Sequence, residues 1–258
     1  MFQYPNLSKL PCRVRSSWDT PSSACRAAWW RLCANRVGET AQIPSFGLYT
    51  DYETRRGFHA LAKVSDGHPH RTRLYDAHED AYMTPYAEQD VAYILSLGYE
   101  SIEHIVPRSY YAGESAAQND PFGWVVAASY KNSLRKSLPL VLWTSVGVGD
   151  YMYAELIIGD ERHFVPPVNQ RARLARKWLY MRATHVARVP PSQAQQQHLT
   201  DSLDHVERYP PDSTERRMNE LLAHKYGGWD NPFISQPTEA LRVARTAGWQ
   251  RLVFGTAL

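Results

Sequence analysis

No stretch of this chain is apolar for long enough to cross a bilayer, so no membrane-spanning helix and no membrane partner are expected. Cysteine is scarce. The three copies, Cys12, Cys25 and Cys33, are odd in number and show no CxxC spacing. That argues against a zinc cluster and a disulfide framework, and leaves open either one disulfide with a free thiol or a reduced protein. A large excess of one charge is missing too, since the net charge is only +3. The chain is no polycation, so contact with a polyanion would need local basic patches. The start lacks the apolar core of a secretory signal peptide, so an intracellular, organellar or virion-associated location is expected over a secreted one. No internal repeat is visible.

What is present is ordinary for a globular protein: 43% hydrophobic and 21% charged residues over 258 positions. That length allows one large domain or two small ones. Tyrosine and tryptophan are plentiful, with 16 and 8 copies. They suit burial or stacking on bases and do not choose between them. Arginine outnumbers lysine, and basic residues gather at 131–136, 171–182 and 242–251. The guanidinium fork matches phosphate bidentately. Residues 1–44 form a basic extension, with Asp19 the only acid before Glu39, and 45–258 form the domain proper. Within the extension, Trp29 and Trp30 read as the buried side of a short helix.

Patterning along the chain suggests α+β architecture, mainly helical around a small antiparallel sheet. Residues 45–85 read as loop-rich, with a turn at 65–70 where His68 and His70 lack metal-ligand spacing. Residues 85–97 read as a helix that Gly98 ends. A helix is expected over 125–135, and strands over 138–143 and 153–158 joined through Gly147, Gly149 and Asp150. The strongest helix spans 169–187, with Leu174, Trp178 and Met181 facing the core and Arg171, Arg173, Arg176, Lys177 and Arg182 on the remainder. Another short helix is expected around 193–206. Asp212 with Glu215 resembles a capping box, opening a helix to Tyr226 that Gly227-Gly228 stops. The last helix is expected over 238–247.

Chemistry concentrates at Ser101-Ile102-Glu103-His104-Ile105-Val106-Pro107-Arg108-Ser109. Ile102, Ile105 and Val106 can anchor a short strand, which Pro107 stops because it cannot donate to a ladder. Neighbouring strand side chains point to opposite faces, so Glu103 and His104 serve one site only if the strand ends there. A carboxylate is a hard ligand for Mg²⁺, and a neutral imidazole accepts a proton near pH 7. Further on, Asn132 and Arg135 share one helix face. The asparagine carbonyl can complete a hard metal site, and the arginine can reach the same phosphate.

Together these segments resemble the bacterial endonuclease I family of His-Me finger, or ββα-metal, nucleases. Glu103-His104-Ile105-Val106-Pro107 is similar to its Glu-His-x-x-Pro strand. Tyr130-Lys131-Asn132-Ser133-Leu134-Arg135 is similar to its metal-binding Asn helix, with Asp120 at a matching distance upstream. Phe164-Val165-Pro166-Pro167, then Arg171, Ala175-Arg176 and Tyr180-Met181, resemble the helix leading to its Tyr-Met pair. Pro211-Asp212 through Glu220, and Asn231-Pro232-Phe233, resemble its C-terminal signature. The resemblance covers about 101–238. One departure stands out: Pro121-Phe122-Gly123-Trp124 replaces the family's usual His-Asn-Leu segment.

The resemblance implies a ββα-metal finger and single-metal hydrolysis of phosphodiester bonds in DNA, RNA or both, with little sequence specificity and 5′-phosphate products. Glu103 and Asn132 would hold one divalent cation, Mg²⁺ or another such as Mn²⁺ or Ca²⁺. His104 would be the general base. Arg108 or Arg135 would clamp the phosphate, and Arg171, Arg173 and Arg176 would bind backbone. No organic cofactor is implied. The competing expectations are an inactive nucleic-acid-binding protein on the same fold and a site-specific nuclease of the same finger class.

Overall fold

The computed structural model describes residues 29–30, 42–48, 50–65, 100–111, 115–142, 154–158, 160–166, 168–185, 191–197 and 199–254. The helix expected at 85–97, the turn expected at 147–150, the three cysteines, His68 and His70 lie outside these residues. Helix α1 (Tyr52–Ser65) opens the main body and corrects the loop expected there. Asp51 starts it, its carboxylate accepting from the backbone N–H groups of Glu53 and Thr54. Strand β1 (Glu100–His104) follows, then a 3-10 turn over Arg108–Tyr111 and the one-turn helix α2 (Ser115–Gln118). A second 3-10 turn (Pro121–Gly123) leads into β2 (Trp124–Ala128) and directly into α3 (Ser129–Arg135).

Strands β1 and β2 pair antiparallel, with Ile102 opposite Val126, Glu103 opposite Val125 and His104 opposite Trp124. The single helix expected over 125–135 is therefore a strand followed by a helix. A short Val-Val-Ala-Ala run fits either state, and here pairing with β1 decides. Strands β3 (Ala154–Ile158) and β4 (Glu161–Val165) form a second antiparallel pair. Within the described residues, Leu140 makes only an isolated parallel bridge, to Phe164, so β3 pairs with β4 and not with the strand expected at 138–143.

The remaining elements are helices: α4 (Val168–Thr184), α5 (Gln193–Gln197), α6 (Leu199–Arg208), α7 (Ser213–Lys225), α8 (Pro232–Ser235), α9 (Pro237–Ala244) and α10 (Ala247–Phe254). Helix α7 has the expected ends. Asp212 accepts from the Glu215 N–H at 2.7 Å and the Glu215 carboxylate answers at the Asp212 N–H. At the other end Gly227 takes φ +64°, and the Gly228 N–H reaches the Ala223 carbonyl at 2.8 Å. That is a left-handed stop that costs glycine little.

Helix α4 runs through the centre, its residues from Leu174 to Thr184 all buried. It packs against α6, α8 and the 121–123 turn, so it has no broad solvent face. Trp29 and Trp30 join the same core from the far N-terminal side. Trp30 stacks on Trp229 at 4.1 Å between ring centroids, and its indole N–H donates to the Asp230 carbonyl at 2.8 Å. Among the described residues no helix is long and apolar enough to cross a membrane.

Candidate active site

Strand β1 ends at His104, so the acid and the imidazole stand at a strand end, each with its own support. Glu103 turns to the buried guanidinium of Arg135, which contacts its carboxylate. His104 packs edge-on against the Trp124 ring at 5.6 Å, and its Nε2 lies 3.0 Å from the Gln118 carbonyl oxygen. A carbonyl only accepts, so Nε2 carries the proton and Nδ1 carries the lone pair. Burial is the main cause that pulls the His104 pKa down, to about 3; the Gln118 bond opposes it and the nearby Arg108 charge adds to it. The ring is therefore a neutral imidazole at physiological pH.

Helix α3 brings its side chains back to β1. The Asn132 amide donates from Nδ2 to Ser101 Oγ at 3.0 Å and to the Ile102 carbonyl at 3.2 Å. Pinning the nitrogen on these two acceptors leaves Oδ1 as the atom able to coordinate. Arg135 donates to the carbonyls of His104 at 2.8 Å, Ile105 at 2.7 Å and Leu138 at 3.3 Å. It is wholly buried, and burial lowers its pKa to about 9, which keeps it charged at neutral pH. Lys136 then ends the helix at φ +53°. Arg108 is exposed at the first position of its 3-10 turn.

The family model for endonuclease I matches residues 68–238, more than half of the chain. The chain belongs to the endonuclease I family. The match begins upstream of the resemblance read from the sequence and takes in residues 68–100. No curated protein matches the chain.

For an endonuclease I chain the arginines are arranged unexpectedly. Arg135, Arg171 and Arg176 were expected to meet nucleic acid, and all three are buried. The Arg171 Nε–H donates to the Pro166 carbonyl at 3.0 Å. Arg176 grips Glu215 bidentately at 2.9 and 2.5 Å and donates to the Tyr209 carbonyl. Lys177 donates to the Phe122 carbonyl at 3.0 Å, and Arg182 sits over the Tyr110 and Trp178 rings. The reason for the α4 arginines is position: α4 is central, so its polar side also faces protein, where Arg171, Arg176 and Lys177 find acceptors. Only Arg173 among the three expected backbone contacts of α4 is partly exposed. At the surface beside β1, Ser109 and Ser137 meet at 3.1 Å and the Tyr110 hydroxyl donates to the Ser137 carbonyl. These contacts bring the segments carrying exposed Arg108 and exposed Lys136 together.

Endonuclease I membership implies a divalent cation, and the donor set can be tested for fit. Among the described residues no cluster of three or more His, Cys, Asp and Glu is placed to hold a metal. That is unlike a zinc site. Two hard oxygens are on offer, from Glu103 and from Asn132, whose amide sits on the backbone next to Glu103. One or two protein oxygens completed by water and substrate phosphate are what Mg²⁺ takes. The residues fit such an ion. Gln118 and Ser101 were not visible as functional residues in the sequence. Gln118 acts through its main chain, which no side-chain motif reveals, and Ser101 by a contact made across β1 and α3.

Proposed function

We propose that this chain is a divalent-cation-dependent endonuclease that hydrolyses phosphodiester bonds with little sequence preference. The observation that carries the reading is the placing of His104 at the end of β1, with its Nε2 proton committed to the Gln118 carbonyl, so that Nδ1 is the basic nitrogen. His104 Nδ1 takes a proton from water. The oxygen attacks phosphorus, the bond to the 3′ oxygen breaks, and that oxygen takes a proton from solvent water, so the products are a 5′-phosphate and a 3′-hydroxyl. Glu103 and Asn132 would hold the cation. The chemistry such an ion supplies when bound is stabilisation of negative charge on the phosphate and the leaving oxygen.

Arg108 is the better candidate for the phosphate clamp, because it is exposed near His104 while Arg135 is buried and engaged. With Lys136 on the adjoining segment, it offers a backbone contact that reads no sequence. The substrate is DNA, RNA or both. The test is incubation of the purified chain with plasmid DNA and with RNA, with and without Mg²⁺, beside His104→Ala. Expected is a Mg²⁺-dependent smear that the variant abolishes while nucleic-acid binding persists. Full activity in His104→Ala would sink the mechanism. Tight binding without cleavage by the wild-type chain would favour an inactive binding protein instead.

A further inference from the structure

Asp120 takes no part in the chemistry above, yet its carboxylate is fully buried and held from three sides. Oδ1 accepts from the Phe122 N–H at 2.9 Å. Oδ2 accepts from the Tyr180 hydroxyl at 2.8 Å and lies 2.8 Å from His185 Nε2. The Tyr180 oxygen in turn accepts from the Trp229 indole N–H at 2.7 Å. Burying a carboxylate is expensive, and a packed apolar replacement is often as stable. Stability alone is thus a weak reason for this network. What a set of directed hydrogen bonds does provide is geometry.

The geometry belongs to the turn over 115–123. Two residues before Asp120 is Gln118, whose carbonyl accepts from His104. The Gln118 side chain donates to the Tyr111 carbonyl at 3.2 Å, and the Tyr111 ring meets the His185 ring edge-on at 6.2 Å. Two residues after Asp120, the Phe122 carbonyl takes the Lys177 ammonium, and the Gly123 carbonyl accepts from the Ile105 N–H just past β1. Gly123 lies so close to α4 that an added Cβ would stand 2.5 Å from Met181 Sδ. The last turns of α4, with the residue that follows them, therefore hold this turn at Asp120, at Phe122, at Gly123 and through Tyr111. The His104 bond is 3.0 Å long. A displacement of about 0.6 Å in its acceptor would carry it out of hydrogen-bond range.

We propose that Asp120, gripped by Tyr180 and His185, is a positioning residue for His104: it fixes the Gln118 carbonyl that keeps the proton on Nε2 and leaves Nδ1 as the base. The kinetic consequence rests on the nuclease reading; the tautomer itself is a property of the free protein. The experiment uses the full chain, labelled with ¹⁵N-histidine, as wild type, Asp120→Asn and Tyr180→Phe. Long-range proton–nitrogen spectra report the tautomer of each ring. Expected is a single Nε2–H form of His104 in the wild type and a mixed or inverted population in both variants. His163, buried against Ser192 on β4, should be unchanged and serves as the internal reference for general loosening. The kcat should fall about tenfold with KM little altered, the range seen when groups that orient functional histidines are removed.

If Asp120→Asn does not fold, Tyr180→Phe, which deletes one hydroxyl, carries the test. An unchanged His104 tautomer in folded Tyr180→Phe overturns the proposal. So does a change that His163 shares. If the wild-type chain cleaves nothing, the nuclease reading falls, while the tautomer comparison still decides the role of Asp120.

Discussion

Replacing Arg135 by methionine separates two roles that an arginine beside a nuclease motif can play. As a phosphate contact it would be dispensable for folding. As a buried clamp it would not. The structure gives the clamp four partners: the Glu103 carboxylate and the carbonyls of His104, Ile105 and Leu138. Hydrogen bonds from a charged donor are worth about 1.5–3 kcal/mol each, and they do not add fully. Leaving the buried Glu103 without its countercharge costs about 3–5 kcal/mol by itself, unless the carboxyl takes up a proton. A net loss of about 5 kcal/mol is a large part of the whole stability of an ordinary domain. For a chain of this size it corresponds to a fall in Tm of roughly 10–20 °C. Calorimetry on wild type, Arg135→Met and Arg135→Lys is the assay, with lysine expected between the two because it keeps the charge but loses the planar fork. A methionine variant with wild-type Tm, and a salt dependence of binding reduced by about one phosphate contact, would refute the reasoning and restore the surface role.

Other outcomes follow from the same geometry. Asn132→Ala should raise the Mg²⁺ concentration needed for half-maximal cleavage while EDTA stops the wild type entirely; a chelator-resistant activity would remove the cation from the reading. His104 has a folded pKa of about 3 against 6.5 for a free imidazole, so the unfolded chain binds its proton first. Stability should therefore decline as pH falls from 6.5 toward 3, by up to about 5 kcal/mol from this group. His104→Gln should flatten that slope in thermal melts, and an unchanged slope would contradict the buried neutral ring. Glu215→Ala strands the buried Arg176 and opens the α7 capping box, so it should cost about 3–5 kcal/mol in chemical denaturation. A loss below about 1 kcal/mol would mean that the pair is solvated.

The sequence revealed most where the signal was local. The capping box at Asp212 and Glu215 and the glycine stop after Tyr226 are each written within a few residues, and that helix begins and ends where expected. Strand β1 stops at His104, short of the Ile105 and Val106 expected to carry it up to Pro107. Elements set by distant partners were harder to read. Residues 124–128 are a strand because β1 lies beside them. The β3–β4 pair was missed, although Gly159-Asp160 between two runs is a recognisable hairpin signal. The arginines of α4 looked like a solvent face because composition counts charge and cannot see Glu215, 39 residues away, or a carbonyl. Within the candidate site the side chains at 103, 104 and 132 stood out. The Gln118 carbonyl did not, since every residue carries one and only the fold selects which is used.

The tryptophan pair near the start of the chain has a consequence for biosynthesis. Trp30 reaches the Asp230 carbonyl across 200 residues of sequence, and Trp29 meets the Phe233 ring. At ribosomal speeds of about 5–20 residues per second, the two indoles wait roughly 10–40 s for the segment that covers them. Trp229, which Trp30 stacks against, also donates to Tyr180, so the hydrogen-bonded frame behind His104 closes in the same late step. A nascent chain halted before residue 229 lacks that closure, and stalled-chain proteolysis should show protection only after residue 233 has left the exit tunnel. The frame behind the candidate site would then form only after residues 229–233 have been made.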